Sequence, residues 1–257
     1  MSQMRDRRAF LRGLLTTAAG LSLAACDKLG RSESVRSVLD AGEYLSERTQ
    51  RALAGESLAP EFPATMISAH FKPNGSTDPG DEAYRAHAAN AFADWRLEVG
   101  GLVERPLSLS LNDIRELPQR TQITRHDCVE GWSVIGQWRG ARLSALLDRA
   151  GLKPSARFIA FFCADTLERT LDGTGDYYET IGIADAYHEQ TILAYELNDR
   201  VLPVSNGAPL RLRVERQLGY KMAKYVMRIE ALDDFAHLGR GKGGFWEDRG
   251  YQWYAGI

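Results

Sequence analysis

The sequence predicts an α+β fold of mixed sheets with short helices. Three observations carry this. Many short segments alternate apolar and polar residues in the manner of strands. The helical patterns between them are short and do not recur as regular βα units. No glycine-rich phosphate loop of the GxGxxG or GxxxxGK type is present, so nucleotide binding by those devices is not supported. The chain has 257 residues and a formal net charge of −2. That length can bury a sizeable core, and the charge balance leaves no basic footprint for nucleic acid.

Taken in order, residues 1–26 read as an export signal. Asp6-Arg7-Arg8-Ala9-Phe10-Leu11-Arg12 precedes an uncharged run from Gly13 to Ala25, which is too short to span a bilayer. Paired arginines before such a run resemble a bacterial twin-arginine signal. Leu23-Ala24-Ala25-Cys26 resembles a lipoprotein box, with simple cleavage as the alternative, and Asp27 resembles an inner-membrane retention signal. The expected location is therefore the periplasm, with a lipid anchor on Cys26. Residues 27–60 read as a polar tether and an amphipathic helix from Glu33 to Ala54, weakened at Gly42.

Residues 61–257 form the expected main domain. Proline and glycine keep 55–82 mostly loop, and 83–93 reads as a short helix. Trp95–Val99 alternates as a strand, and Leu107, Leu109 and Leu111 alternate again. A helix starts at Ser110 and ends at Pro118. Thr121–Thr124 reads as a strand leading into a loop that contains Cys128. Leu143–Ala150 is a helix closed by Gly151. Strands are expected over Arg157–Cys163 and Tyr177–Ile183, and a hairpin over Ile192–Leu202. An irregular loop spans Pro203–Pro209. Two further strands, Leu210–Val214 and Tyr225–Ala231, flank a basic loop at Lys221 and Lys224. The aromatic-rich segment 237–257 shows no helical period and reads as an irregular tail.

Three cysteines at scattered positions make no disulfide framework, although a Cys128–Cys163 bridge is open in an oxidising compartment. The Cys128 thiol has three open roles: nucleophile with His126 as base, metal ligand, or inert buried residue. Zinc would draw on Cys128, His126 and Cys163, but the spacing matches no zinc pattern. A redox metal that takes one thiolate fits the count better.

His126-Asp127-Cys128-Val129-Glu130-Gly131-Trp132-Ser133, with Trp138 to Leu143 after it, resembles the molybdenum-cysteine loop of sulfite-oxidase-fold molybdopterin oxidoreductases. The Cys-Val-Glu-x-Trp-Ser form is most similar to the catalytic subunits of periplasmic protein-methionine-sulfoxide reductases. Leu202–Leu212 and Gly219–Lys224 resemble two further segments of that family. The resemblance spans roughly residues 65–235. It implies the sulfite-oxidase-type molybdopterin-binding fold and a molybdenum-molybdopterin cofactor with Cys128 as the metal ligand. Glu130 would lie in or near the active-site shell.

It also implies cofactor contacts from Phe71, Asn74, Cys163, Asn206, Arg211, Met222, Ala223 and Lys224. Cys163 stands where the family has threonine. Pro73 stands where sulfite oxidases have a substrate-binding arginine, which argues against sulfite. Too few residues follow 235 for the immunoglobulin-like domain of eukaryotic sulfite oxidases. The implied activity is oxygen-atom transfer, with S-oxides such as methionine sulfoxide as candidate substrates. No haem or iron–sulfur motif is present, so electrons are expected from a separate partner, such as a membrane haem protein. The alternative is a lipid-anchored binding module that keeps the fold without the chemistry.

Overall fold

The computed structural model describes residues 32–172 and 174–257. The signal and lipobox expectations lie on 1–31, outside the described residues. The chain divides into two units, one ending at Gly55 and one running from Glu56 to Ile257. The described part of the first is helix α1, Glu33–Ala54. Its Val38, Leu39, Leu45 and Leu53 are exposed. Among the described residues, no helix is long and apolar enough to cross a membrane.

The second unit carries two five-stranded sheets. The first has the order β2-β1-β10-β5-β6, built from Leu107–Leu109, Leu97–Gly101, Val226–Leu232, Phe158–Thr166 and Asp176–Gly182. Its β1–β10 pair is parallel and the others are antiparallel. The second runs β3-β4-β7-β8, built from Gln119–Cys128, Trp132–Arg142, Ile192–Leu197 and Arg200–Val201, and β9 (Arg211–Arg213) also pairs with β7. Four short helices serve the sheets: α2 (Glu82–Ala89), α3 (Leu111–Arg115), α4 (Leu143–Ala150) and α5 (Ile183–Ala186). This is the α+β arrangement expected.

Local signals set the element ends. Ser110 caps α3 in a reciprocal capping box with Asp113. Asp81 caps α2 by accepting from the Tyr84 amide at 2.6 Å. Gly151 closes α4 in the left-handed region.

Strand β7 shows how the sheets share the core. Leu193 and Tyr195 join the main cluster with Phe161, Ile229 and Leu212, while Ile192, Ala194 and Leu197 join a smaller one with Phe71 and Trp138. The period-2 alternation of a strand thus supplies apolar side chains to both faces.

Two expectations change. The segment 125–128 is not loop, because β3 continues to Cys128 and pairs with Trp132–Arg142 in register along its whole length. The hydrogen-bonded hairpin satisfies backbone groups that a loop at this depth would leave unpaired. Cys128 and Cys163 are both free. They stand on different sheets, Cys128 ending β3 and Cys163 inside β5, and form no bridge.

Candidate active site

The β3–β4 hairpin places Cys128 at its tip. Gly131 turns the chain at φ 84° and donates its amide to the Cys128 carbonyl at 3.0 Å. The thiol is buried yet borders a cleft that holds about 110 Å³ of water-accessible space and opens to solvent. Burial pushes its pKa up, and the Glu130 amide, Lys72 and Arg211 oppose that rise. Glu130 sits on the cleft rim. It accepts a hydrogen bond from Trp132 Nε1 at 2.8 Å and lies 4.0 Å from the Lys72 ammonium.

Behind the cleft lies a buried basic cluster. Arg211 and Arg213 are neighbours on one face of β9, and both guanidinium groups face the Trp138 ring, at 5.2 and 4.4 Å. Arg213 is neutralised by a bidentate pair with Glu215, at 2.8 and 2.6 Å. Arg211 is fully buried, and among the described residues it meets only neutral acceptors: the Asn74 side-chain oxygen at 2.7 Å and the Asn206 carbonyl at 3.2 Å. Burial, then Arg213, lowers its pKa to about 9. Its Nε and the adjacent Asn206 Nδ2 are buried donors with no partner among the described residues.

Lys224 completes the cluster. Its ammonium donates to the carbonyls of Asn74 (2.7 Å), Ser205 (3.0 Å) and Ser76. Burial, then Arg211, brings its pKa down to about 7, and Asp165 opposes the fall. Gly207 lets this chain approach, because at φ 112° a Cβ there would lie 2.9 Å from Lys224 Cβ. His126, fully buried, receives the Arg213 Nη1 contact at Nδ1 at 3.0 Å. Burial, Arg211, Arg213 and Lys224 hold its pKa well below the usual imidazole range. A neutral imidazole is what a pocket already holding two arginines tolerates.

The structure brings several of the predicted residues together. Cys128, Glu130, Asn74, Met222 and Lys224 line the cleft. Arg211 stands one hydrogen bond behind Asn74, and Asn206 is linked to Lys224 through Ser205, whose hydroxyl donates to the Asn206 side-chain oxygen and whose carbonyl accepts from Lys224. Ala223 is buried, and its carbonyl accepts the Leu212 amide at 2.8 Å. Phe71 packs edge-on against Trp138 in the smaller core, its ring centroid 5.0 Å away, and is absent from the cleft lining. Cys163 is half-buried on β5 against the main core, also off the lining, and burial pushes its thiol well up.

Other lining residues carry no sequence signal for this role. Asp165 sits where the β5–β6 register slips, and such bulges re-aim side chains. Ser76 Oγ donates to it at 2.8 Å, and burial lifts its pKa to about 6. Tyr177, Tyr220, Trp246 and Tyr251 also line the cleft, and only the aromatic richness of the tail hinted at the last two.

No group of three or more His, Cys, Asp or Glu side chains converges among the described residues. A zinc site built from Cys128, His126 and Cys163 is therefore not formed. The donor set fits a different group: one soft thiol beside buried N–H donors that lack a partner, and an arginine that lacks a counter-ion, among the described residues. Thiolate suits a redox metal, and the donors suit a phosphate.

Comparison with known proteins agrees. The profile of the oxidoreductase molybdopterin binding domain matches residues 85–237. A putative protein-methionine-sulfoxide reductase subunit YedZ1 from Azospira oryzae is 38% identical, over 99% of this chain and 89% of its own length. The protein-methionine-sulfoxide reductase catalytic subunit MsrP of Xanthomonas axonopodis pv. citri is 31% identical, over 90% of this chain and 71% of that one. The MsrP of Campylobacter jejuni is 34% identical over 53% of this chain, and the matched part is about half (48%) of that protein.

Proposed function

The chain belongs to the oxidoreductase molybdopterin-binding domain family, and from that premise we propose that Cys128 binds the molybdenum of a sulfoxide reductase. It is a molybdopterin-dependent oxidoreductase of the oxygen-atom-transfer type. The observation that carries the site assignment is Arg211. A fully buried guanidinium without a carboxylate is costly, and a phosphate group would supply the missing counter-charge.

When bound, the cofactor supplies a metal that changes by two electrons and exchanges one oxygen atom with substrate. The chain's residues do the rest. Arg211 Nε and Asn206 Nδ2 would donate to the phosphate. Lys224 would add positive charge rather than new hydrogen bonds, because carbonyls already take its donors. Cys128 Sγ would lose its proton on ligation, so loading is favoured at higher pH. Glu130 and Lys72 would orient polar groups at the rim.

The reaction balances as sulfoxide plus two protons and two electrons giving thioether plus water. The S–O bond breaks, sulfur keeps the electron pair, and oxygen leaves in water. Names of the relatives support methionine sulfoxide or a similar S-oxide as substrate. The electrons would come from a separate redox partner. Export to the periplasm by the twin-arginine route and lipidation of Cys26 complete the reading, supported by the amino-terminal sequence.

Metal analysis tests it. Protein from a host that makes the cofactor should carry stoichiometric molybdenum, and Cys128→Ala should lose turnover while staying folded. Protein without molybdenum, or undiminished turnover in Cys128→Ala, would sink the proposal.

A further inference from the structure

The cleft lining sorts by chemistry. Asn74, Ser76, Asp165 and Lys224 are polar, whereas Tyr220, Trp246 and Tyr251 are aromatic. We infer that Trp246 and Tyr251 are specificity-determining residues that bind the carbon substituents on the substrate's sulfur and select uncharged organic sulfoxides over inorganic oxyanions. This rests on the sulfoxide-reductase reading and adds which residues choose the substrate.

The aromatic wall is built into the fold. The Trp246 ring packs on Phe245 at 5.2 Å and on Tyr251 at 5.3 Å, and Tyr251 packs on Tyr220 at 5.2 Å. Tyr220 Oη donates to the Gln252 carbonyl at 2.7 Å. The Tyr251 amide donates to the Trp246 carbonyl at 3.1 Å.

The residue after Trp246 anchors it. Glu247 accepts from Lys221 Nζ at 2.6 Å, and Lys221 also pairs with Glu179. All three side chains are fully buried or nearly so. Lys221 lies between Tyr220 and Met222, so one buried triad fixes lining residues of two segments. Arg249 adds a second tie, its guanidinium stacked 3.5 Å over Phe245 and paired with Glu168.

Ring faces carry a negative quadrupole. They attract the positively polarised hydrogens of groups bound to a sulfoxide sulfur, and they contact thioether sulfur favourably. A dianionic oxyanion gains nothing from them. Trp246 and Tyr251 lie beyond residues 85–237, the part matched by the family profile.

The test uses molybdenum-loaded enzyme with reduced viologen as electron donor. In Trp246→Ala and Tyr251→Leu, kcat/KM for methyl p-tolyl sulfoxide should fall about 10-fold or more, mainly through KM. Dimethyl sulfoxide should change less than about 3-fold, because it buries little area. Equal losses on both substrates with molybdenum retained, or no loss, would overturn the inference.

A second readout needs no turnover. Methyl p-tolyl sulfide, the product thioether, should quench tryptophan fluorescence in the wild type, and Trp246→Phe should abolish most of that change. Unchanged quenching in Trp246→Phe would also overturn it. If the loaded wild type fails to reduce any sulfoxide yet binds the aryl thioether through Trp246, the reaction assignment fails and the wall assignment stands.

Discussion

Lys221 and Lys224 are three residues apart, and both are buried, yet they live in opposite electrostatic settings. Lys221 has two carboxylates, Glu179 and Glu247, and their attraction outweighs burial to raise its pKa. Lys224 has three carbonyls and no ion pair among the described residues, and burial with Arg211 brings its pKa to about 7. One lysine is spent on the fold. The other belongs to a cluster that lacks negative charge and is completed by an anion. The lesson is that buried charge divides into structural and functional by whether its counter-ion is supplied within the chain.

The sharpest way to break this contrast is Lys221→Met. It leaves two buried carboxyls without their cation and should cost about 3–5 kcal/mol, read as the denaturant midpoint at constant slope. A loss below about 1 kcal/mol would show that the triad does not anchor the tail.

Lys224 should announce itself through pH. Its folded pKa lies below the unfolded one, so between about pH 7 and pH 10 the unfolded chain binds the extra proton. Stability of the wild type relative to Lys224→Met should therefore rise with pH across that window, by up to about 1.4 kcal/mol per unit. Sulfate, which does not titrate there, should bind the cofactor-free wild type better below pH 7 than above and flatten that slope. A slope that is flat in the absence of sulfate contradicts the assignment.

A smaller effect is expected where the Lys221 segment meets the Cys128 strand. A Cβ at Gly219 would lie 2.3 Å from His126 Cε1, in a ring that is fully buried. Gly219→Ala should cost about 1–3 kcal/mol by overpacking. Thermal unfolding checks it, and an unchanged midpoint would mean the two segments are not tightly packed.

The smallest change belongs to Glu179→Gln. Burial first, and Glu247 next, raise the Glu179 pKa, so the charge on this buried carboxyl opposes folding above its unfolded pKa of about 4.3. Above that pH the variant should match or exceed the wild type, by roughly 1 kcal/mol at most. A large loss would mean that the attraction between Lys221 and Glu179 outweighs the cost of burying the second carboxylate.

Much of the domain was legible from pattern. Alternation over Trp95–Val99 and the apolar run within Arg157–Cys163 mark strands of the first sheet, and the capping signals of Ser110 and Gly151 mark helix ends. The hairpin around Cys128 was not legible. Trp132–Arg142 mixes exposed and buried positions irregularly because its two faces meet different neighbours. Arg211 and Lys224 read alone as surface charge. Their motifs implied contact with the cofactor's phosphate, and in the structure both side chains are buried. Phe71 matched a motif loosely, but its ring fills the smaller core.

The sequence by itself determined the fold class, the family, and a single thiol at position 128 among motifs for an anionic cofactor. Those are properties of residue type and spacing, which local propensity and short motifs encode. The tertiary structure alone decided which lysine is paired, which buried donors lack partners, and which tail aromatics reach the cleft. Each depends on contacts between distant segments, such as Lys221 with Glu179 or Arg211 with Asn74. Desolvation and charge pairing in those contacts change a side chain's chemistry without changing its letter in the sequence.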